Sequence, residues 1–168
     1  MLKIFIGIDP GLSGSVVALM GTKLRCWDIP ILSIQSGKTT KKQYDLAKLN
    51  VIFSKIAGVP DCHILIEKVG PMPKQGITST FNFGVGYGML QAFIVMTKHP
   101  YTFVTPVRWK KVMMDGMGKE KDASRLRAKQ LFPDYADMFS RVKDDGRAEA
   151  ALLAEYGKRL LTGAIKSE

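Results

Sequence analysis

Four carboxylates stand where their neighbours argue against ordinary surface placement. Asp9 closes an apolar run in Gly7-Ile8-Asp9-Pro10-Gly11, and Glu67 stands near the end of another, in Leu65-Ile66-Glu67-Lys68. Asp145 and Glu149 are four apart in KDDGRAEAALLAEYG, so a helix there points both from one face. A charged group inside an apolar strand is costly unless it is paired or bound to metal. Carboxylates from separate elements that converge at strand ends supply the oxygen ligands favoured by Mg²⁺ or Mn²⁺. Two such ions ~4 Å apart activate a water and stabilise the leaving oxygen in phosphodiester hydrolysis. The ordinary alternative has Asp9 capping a turn and Glu67 paired with Lys68 or an arginine. It suits either residue alone better than four acids together in a basic chain. Asp144, adjacent to Asp145, leaves the third position open between the two.

The elements that must carry these acids follow from periodicity. Residues 3–9, 14–20 and 23–29 are short apolar runs separated by Pro10-Gly11 and Gly21-Thr22, which predicts three strands in an antiparallel meander. Residues 33–43 are polar and read as a loop. Leu46, Leu49, Ile52, Phe53 and Ile56 have helical spacing within 44–57. Residues 62–69 predict a buried strand, followed by a Gly/Pro loop over 70–76 and a glycine-containing helix over 78–98. A short strand over 100–104 leads to Thr105-Pro106, an N-cap with proline at the first helical position. Helices are expected over 122–131 and 144–161. Strands first, then alternating helix and strand, give an α/β fold in one domain over 1–168, with a mixed sheet flanked by helices.

Composition narrows the function. The 168 residues carry 25 Lys+Arg against 15 Asp+Glu, a net charge of +10, with 46% hydrophobic residues. Disordered and fibrous classes are excluded. No apolar run reaches the ~18 residues of a membrane span, and no basic amphipathic helix or lipidation signal appears. A basic single domain then points first to nucleic acid. Two cysteines, Cys26 and Cys62, make neither a disulfide framework nor a four-ligand zinc site, so a reduced, intracellular protein is expected.

Five motifs in order carry a resemblance. GIDPGLSG, LIEKVGPMPKQG, FGVGYG, TPVRWKK and KDDGRAEAALLAEYG, from about Ile6 to Gly157, together resemble the RuvC-type Holliday junction resolvases, nearest their chloroplast and phage-like branch. The resemblance implies an RNase H-like fold with a five-stranded sheet, of the retroviral integrase superfamily. It implies a homodimer that makes paired symmetric nicks across a four-way DNA junction with Mg²⁺ or Mn²⁺, two ions per site. Asp9, Glu67, Asp145 and Glu149 would be the catalytic and metal-binding acids. The spacing of four between the last two follows the chloroplast-like branch, whereas bacterial RuvC has three. A bacterial or phage-infected cytoplasm is expected, with an organelle less so.

Basic groups gather at Lys38-Lys41-Lys42, Lys68-Lys74, Lys110-Lys111 and Lys119-Lys121-Arg125-Arg127, where they would neutralise phosphates. The resemblance sets the loop holding Lys74 beside the junction centre, and Gln75, Phe81 and Phe83 where relatives place groups at the branch point. DNA-binding candidates are therefore Lys38, Lys41, Lys42, Lys74, Gln75, Phe81, Lys110, Lys119, Lys121 and Arg125. The apolar stretch 83–96 is the candidate dimer interface, and its Met89, Phe93 and Met96 read as core or interface. Ser36-Gly37-Lys38-Thr39 imitates a P-loop, but Leu32 stands where its first glycine belongs, so no nucleotide cofactor is expected. His63, His99, Trp27 and Trp109 read as structural. The acids alone serve equally a nuclease of RNA–DNA hybrids or flaps. A non-catalytic junction-binding protein and a structural DNA-binding protein are the rivals from other classes.

Overall fold

The computed structural model describes residues 3–37, 39–71 and 76–166. In chain order the elements are β1 (Ile4–Asp9), β2 (Ser15–Met20), β3 (Lys23–Asp28), β4 (Ile31–Ser36), β5 (Thr39–Tyr44), α1 (Leu46–Ala57), β6 (Cys62–Glu67), α2 (Ile77–Met96), β7 (Tyr101–Val104), α3 (Pro106–Met113), α4 (Ala123–Leu131) and α5 (Asp145–Leu161). Short 3₁₀ segments at Pro133–Phe139 and Val142–Asp144 join α4 to α5. The main sheet runs β3-β2-β1-β6-β7. Its first three strands form the antiparallel meander, and β6 and β7 add in parallel beside β1.

Strand alternation separates two cores. Ile6, Ile8, Val16, Ile64 and Ile66 face α1 and α2, whose Leu49, Ile52, Phe53, Leu90 and Ile94 fill that side. Val17, Leu19, Leu65 and Val104 point the other way, onto Trp109 and Met113 of α3 and the Ala-rich face of α5. Asp9 has the parity of Gly7, and Glu67 that of Leu65. Both acids therefore project on the α5 side.

Close approach of α5 depends on two glycines. A Cβ on Gly7 would lie 2.0 Å from the Ala150 carbonyl oxygen, and one on Gly146 only 2.3 Å from that of Ser13. Bare backbone at Gly7 lets the helix lie directly on β1, and at Gly146 on the turn between β1 and β2.

Two expectations need correction. Residues 33–43 are not a loop: β4 and β5 pair antiparallel, from Ile31–Tyr44 to Ser36–Thr39, as a separate two-stranded sheet. Nearly all of β5 is exposed, so no buried face imprints an alternating pattern on the sequence. Tyr44 accordingly closes β5, and α1 begins at Leu46 behind the Asp45 cap, which accepts a bond from the Lys48 amide at 3.1 Å. Thr105 takes the N-cap position of α3 with Pro106 following, but its hydroxyl makes no capping bond.

Candidate metal centre

Asp9 and Glu67 end adjacent parallel strands, with Ile8 level with Ile66. Glu149, in the second turn of α5, faces them across the gap that Gly7 and Gly146 keep narrow. One carboxylate oxygen from each of the three lies within 4.8 Å of the others. Glu67 is buried and the other two are partly withdrawn from solvent, and Glu67 and Glu149 are each held by a named neighbour. The Trp109 indole Nε1 donates to Glu67 Oε1 at 2.8 Å. Lys110 Nζ, the next residue on α3, donates to Glu149 Oε1 at 2.9 Å, and Ser124 Oγ of α4 donates to the same oxygen at 3.2 Å. Lys110 Nζ also lies 5.0 Å from the Trp109 ring centroid. Consecutive residues of one short helix thus fix two of the three acids.

Burial and the negative charges of Glu149 and Glu67 push the Asp9 carboxyl up to about 7, although Lys110 works against them. Burial also raises Glu67, with Glu149 adding to the shift and the Trp109 bond and Lys110 opposing it. A cation among the three would remove this repulsion. The fit is chemical as well as electrostatic, because three hard oxygen donors suit Mg²⁺ or Mn²⁺ rather than a soft metal. The indole and ammonium bonds engage one oxygen of Glu67 and one of Glu149, and each carboxylate has a second to offer.

The remaining acids are placed differently. Asp145 opens α5, half exposed, and accepts a bond from Arg125 Nε at 2.7 Å; it lies outside the group of three. Asp144 is 1% exposed and accepts from the Arg141 backbone and guanidinium at 2.8 Å each. Burial favours its neutral form, but the Arg141 bonds outweigh that and hold the carboxyl below its usual range. Arg147 Nη1 lies 3.6 Å from Asp144, and Arg147 Nε donates to Asp28 at 2.6 Å. Asp144 therefore links the 3₁₀ turn to Arg147 of α5, and Arg147 in turn ties α5 to Asp28 of β3.

Of the basic and aromatic candidates, Lys110 enters the centre and Arg125 borders it through Asp145. Lys119 and Lys121 are exposed on the segment between α3 and α4, Lys41 and Lys42 are exposed on β5, and Phe81 is 69% exposed on α2. Lys38, Lys74 and Gln75 lie outside the described residues. Trp109 is the site residue that the sequence reading took for a core anchor. A buried indole N–H needs an acceptor, and Glu67, in an otherwise apolar strand, was the signal available.

The sheet order, the parity of its acids and the helix laid across β1 define an α/β fold of the RuvC and RNase H-like kind. Solved structures give that class a particular likeness. Thermus thermophilus RuvC in complex with Holliday junction substrate has a TM-score of 0.60, covering 92% of this chain and 92% of that one at 12% identity. A second Thermus thermophilus RuvC structure has a TM-score of 0.55, covering 93% and 96% at 12% identity. No protein-family model matches the sequence, and no curated protein matches it.

Proposed function

We propose that the protein is a metal-dependent endonuclease that resolves four-way DNA junctions by paired, symmetric nicks. The observation that carries this reading is the convergence of Asp9, Glu67 and Glu149 within 4.8 Å on a RuvC-like sheet. Mg²⁺ or Mn²⁺, two ions per site, would supply Lewis-acid activation of water and offset the charge that develops on the phosphate. Asp9, Glu67 and Glu149 would hold the metal. Asp145 stands one turn before Glu149, outside the group of three and bonded to Arg125, and would be a fourth acid at the edge of the site. Trp109 holds Glu67 in one orientation. Lys110 and Ser124 do the same for Glu149, and Lys110 adds positive charge at the point where a phosphodiester would lie. In-line attack would leave 5′-phosphate and 3′-hydroxyl ends that a ligase can seal.

A homodimer matches the approximate two-fold symmetry of a four-way junction. α2 supports it: within this 20-residue apolar helix only Leu90 and Ile94 are fully buried. Gly84, Gly88, Ala92 and Val95 share one exposed stripe of α2, narrow enough for another helix to approach.

The test is a labelled four-way junction, a matched linear duplex and an RNA–DNA hybrid, each with Mg²⁺ and with EDTA. Paired metal-dependent nicks on the junction alone are expected. Cleavage of the hybrid instead would keep the metal centre and remove the junction. Tight binding without cutting under any metal would reject the enzyme.

A further inference from the structure

α2 carries a second feature on a face turned away from its glycine stripe. Between that face and the β4–β5 hairpin lies a cleft of about 490 Å³, within the ~300–1,000 Å³ typical of small-ligand sites. The buried Tyr44 ring forms part of its lining, packed so closely on Gly86 that a Cβ there would come 2.7 Å from Tyr44 Cε2. Phe83 and Met89 line the cleft from α2. The amides of Gln43 and Asn82 also line it, as do Lys41 and Lys42. Leu12, three residues beyond Asp9, borders it as well. Burial, and after it the charge of Asp9, raises the Tyr44 phenol to about 12. Tyr44 is therefore near enough to the metal centre to feel its charge, and it presents a neutral ring at working pH.

These groups select a ligand class. Aromatic and thioether walls take the face of a planar ring. A carboxamide offers a donor and an acceptor side by side, the arrangement that reads a base edge. Lysines among the lining residues, with no carboxylate lining the cleft among the described residues, suit a phosphate-linked ligand. A chain of net charge +10 favours such a polyanion. We infer that the cleft receives one unpaired nucleobase of the strand being cut, its edge read by Asn82 and Gln43, and so sets the base preference at the nick. The inference rests on the nuclease reading and adds to it a second contact with the same strand.

Photocrosslinking tests it on the full chain. 5-Iododeoxyuridine is placed singly at nucleotides flanking the crossover of a four-way junction, and in a single-stranded oligonucleotide, with Ca²⁺ in place of Mg²⁺. One junction position is expected to crosslink to peptides containing residues 41–46 or 82–89. Asn82→Ala with Gln43→Ala should reduce that crosslink about tenfold. Both side chains are exposed, so the fold should tolerate the change. With Mg²⁺, junctions bearing each base at that position should differ in rate about tenfold for the wild type and little for the double variant. An abasic junction should be cut equally by both. Crosslinking of the single strand without junction cleavage would keep the cleft and remove the junction reading. Junction cleavage with no crosslink in the cleft, or with base preference intact in the double variant, would overturn the cleft and leave the resolvase.

Discussion

Asp9 joins the electrostatics of the centre to stability. Its carboxyl titrates at about 7 in the folded chain against an ordinary 3.8, so between those values the native state holds a proton that the unfolded state has lost. Stability of the metal-free protein should therefore fall as pH rises from about 4 to about 7. Asp9→Asn should make that protein more stable at pH 8, by on the order of 2 kcal/mol, with little change near pH 4; urea melts at the two pH values check this. The same proton competes with metal, so Mg²⁺ should raise the melting temperature more at pH 8 than at pH 6. Trp109 acts on Glu67 through one hydrogen bond. Trp109→Phe should lower metal affinity or kcat roughly 10–100-fold, the usual cost of losing a partner that orients a ligand. The smaller ring also leaves a cavity, so near-UV circular dichroism is the control for folding. A variant with wild-type metal affinity and kcat would remove the indole from the site.

At the level of elements, the site depends on how closely α5 lies on β1. Gly7→Ala would drive a methyl group into the Ala150 carbonyl. It should cost about 3 kcal/mol or more in denaturant unfolding, far beyond a typical strand glycine-to-alanine change. Unchanged stability would mean that the helix can lift without penalty. The main sheet and most helices were legible because their residues face a buried core, and burial imposes a period. Leu49, Ile52, Phe53 and Ile56 are buried where their spacing predicts. The β4–β5 hairpin escaped because Thr39 to Gln43 are exposed, and exposed strands carry no apolar alternation. The four acids were legible by type. That Asp145 lies outside the group of three while Asp144 turns to Arg141 and Arg147 was not, since adjacent helix residues differ in direction by ~100° and only the helix phase decides. Trp109 was hidden for a related reason: its N–H and its acceptor are 42 residues apart.

The whole molecule is a basic body around an acidic centre. On the proposed function, acids at the reaction point would bind metal and repel phosphate, while Lys41, Lys42, Lys119 and Lys121, exposed elsewhere on the surface, would attract the backbone. The logarithm of junction affinity should fall linearly with the logarithm of salt concentration. Lys41→Ala with Lys42→Ala should lower that slope by about 2 if both meet phosphates. A slope identical to wild type would place the hairpin off the DNA. The central claim is that Asp9, Glu67 and Glu149 form the metal centre that cuts junctions. Its most direct test is single-turnover nicking of a labelled four-way junction by wild type and Asp9→Asn in Mg²⁺, with junction affinity measured in parallel. The account predicts at least a ~10³-fold loss of nicking with affinity equal or tighter. Nicking by Asp9→Asn at the wild-type rate would contradict it.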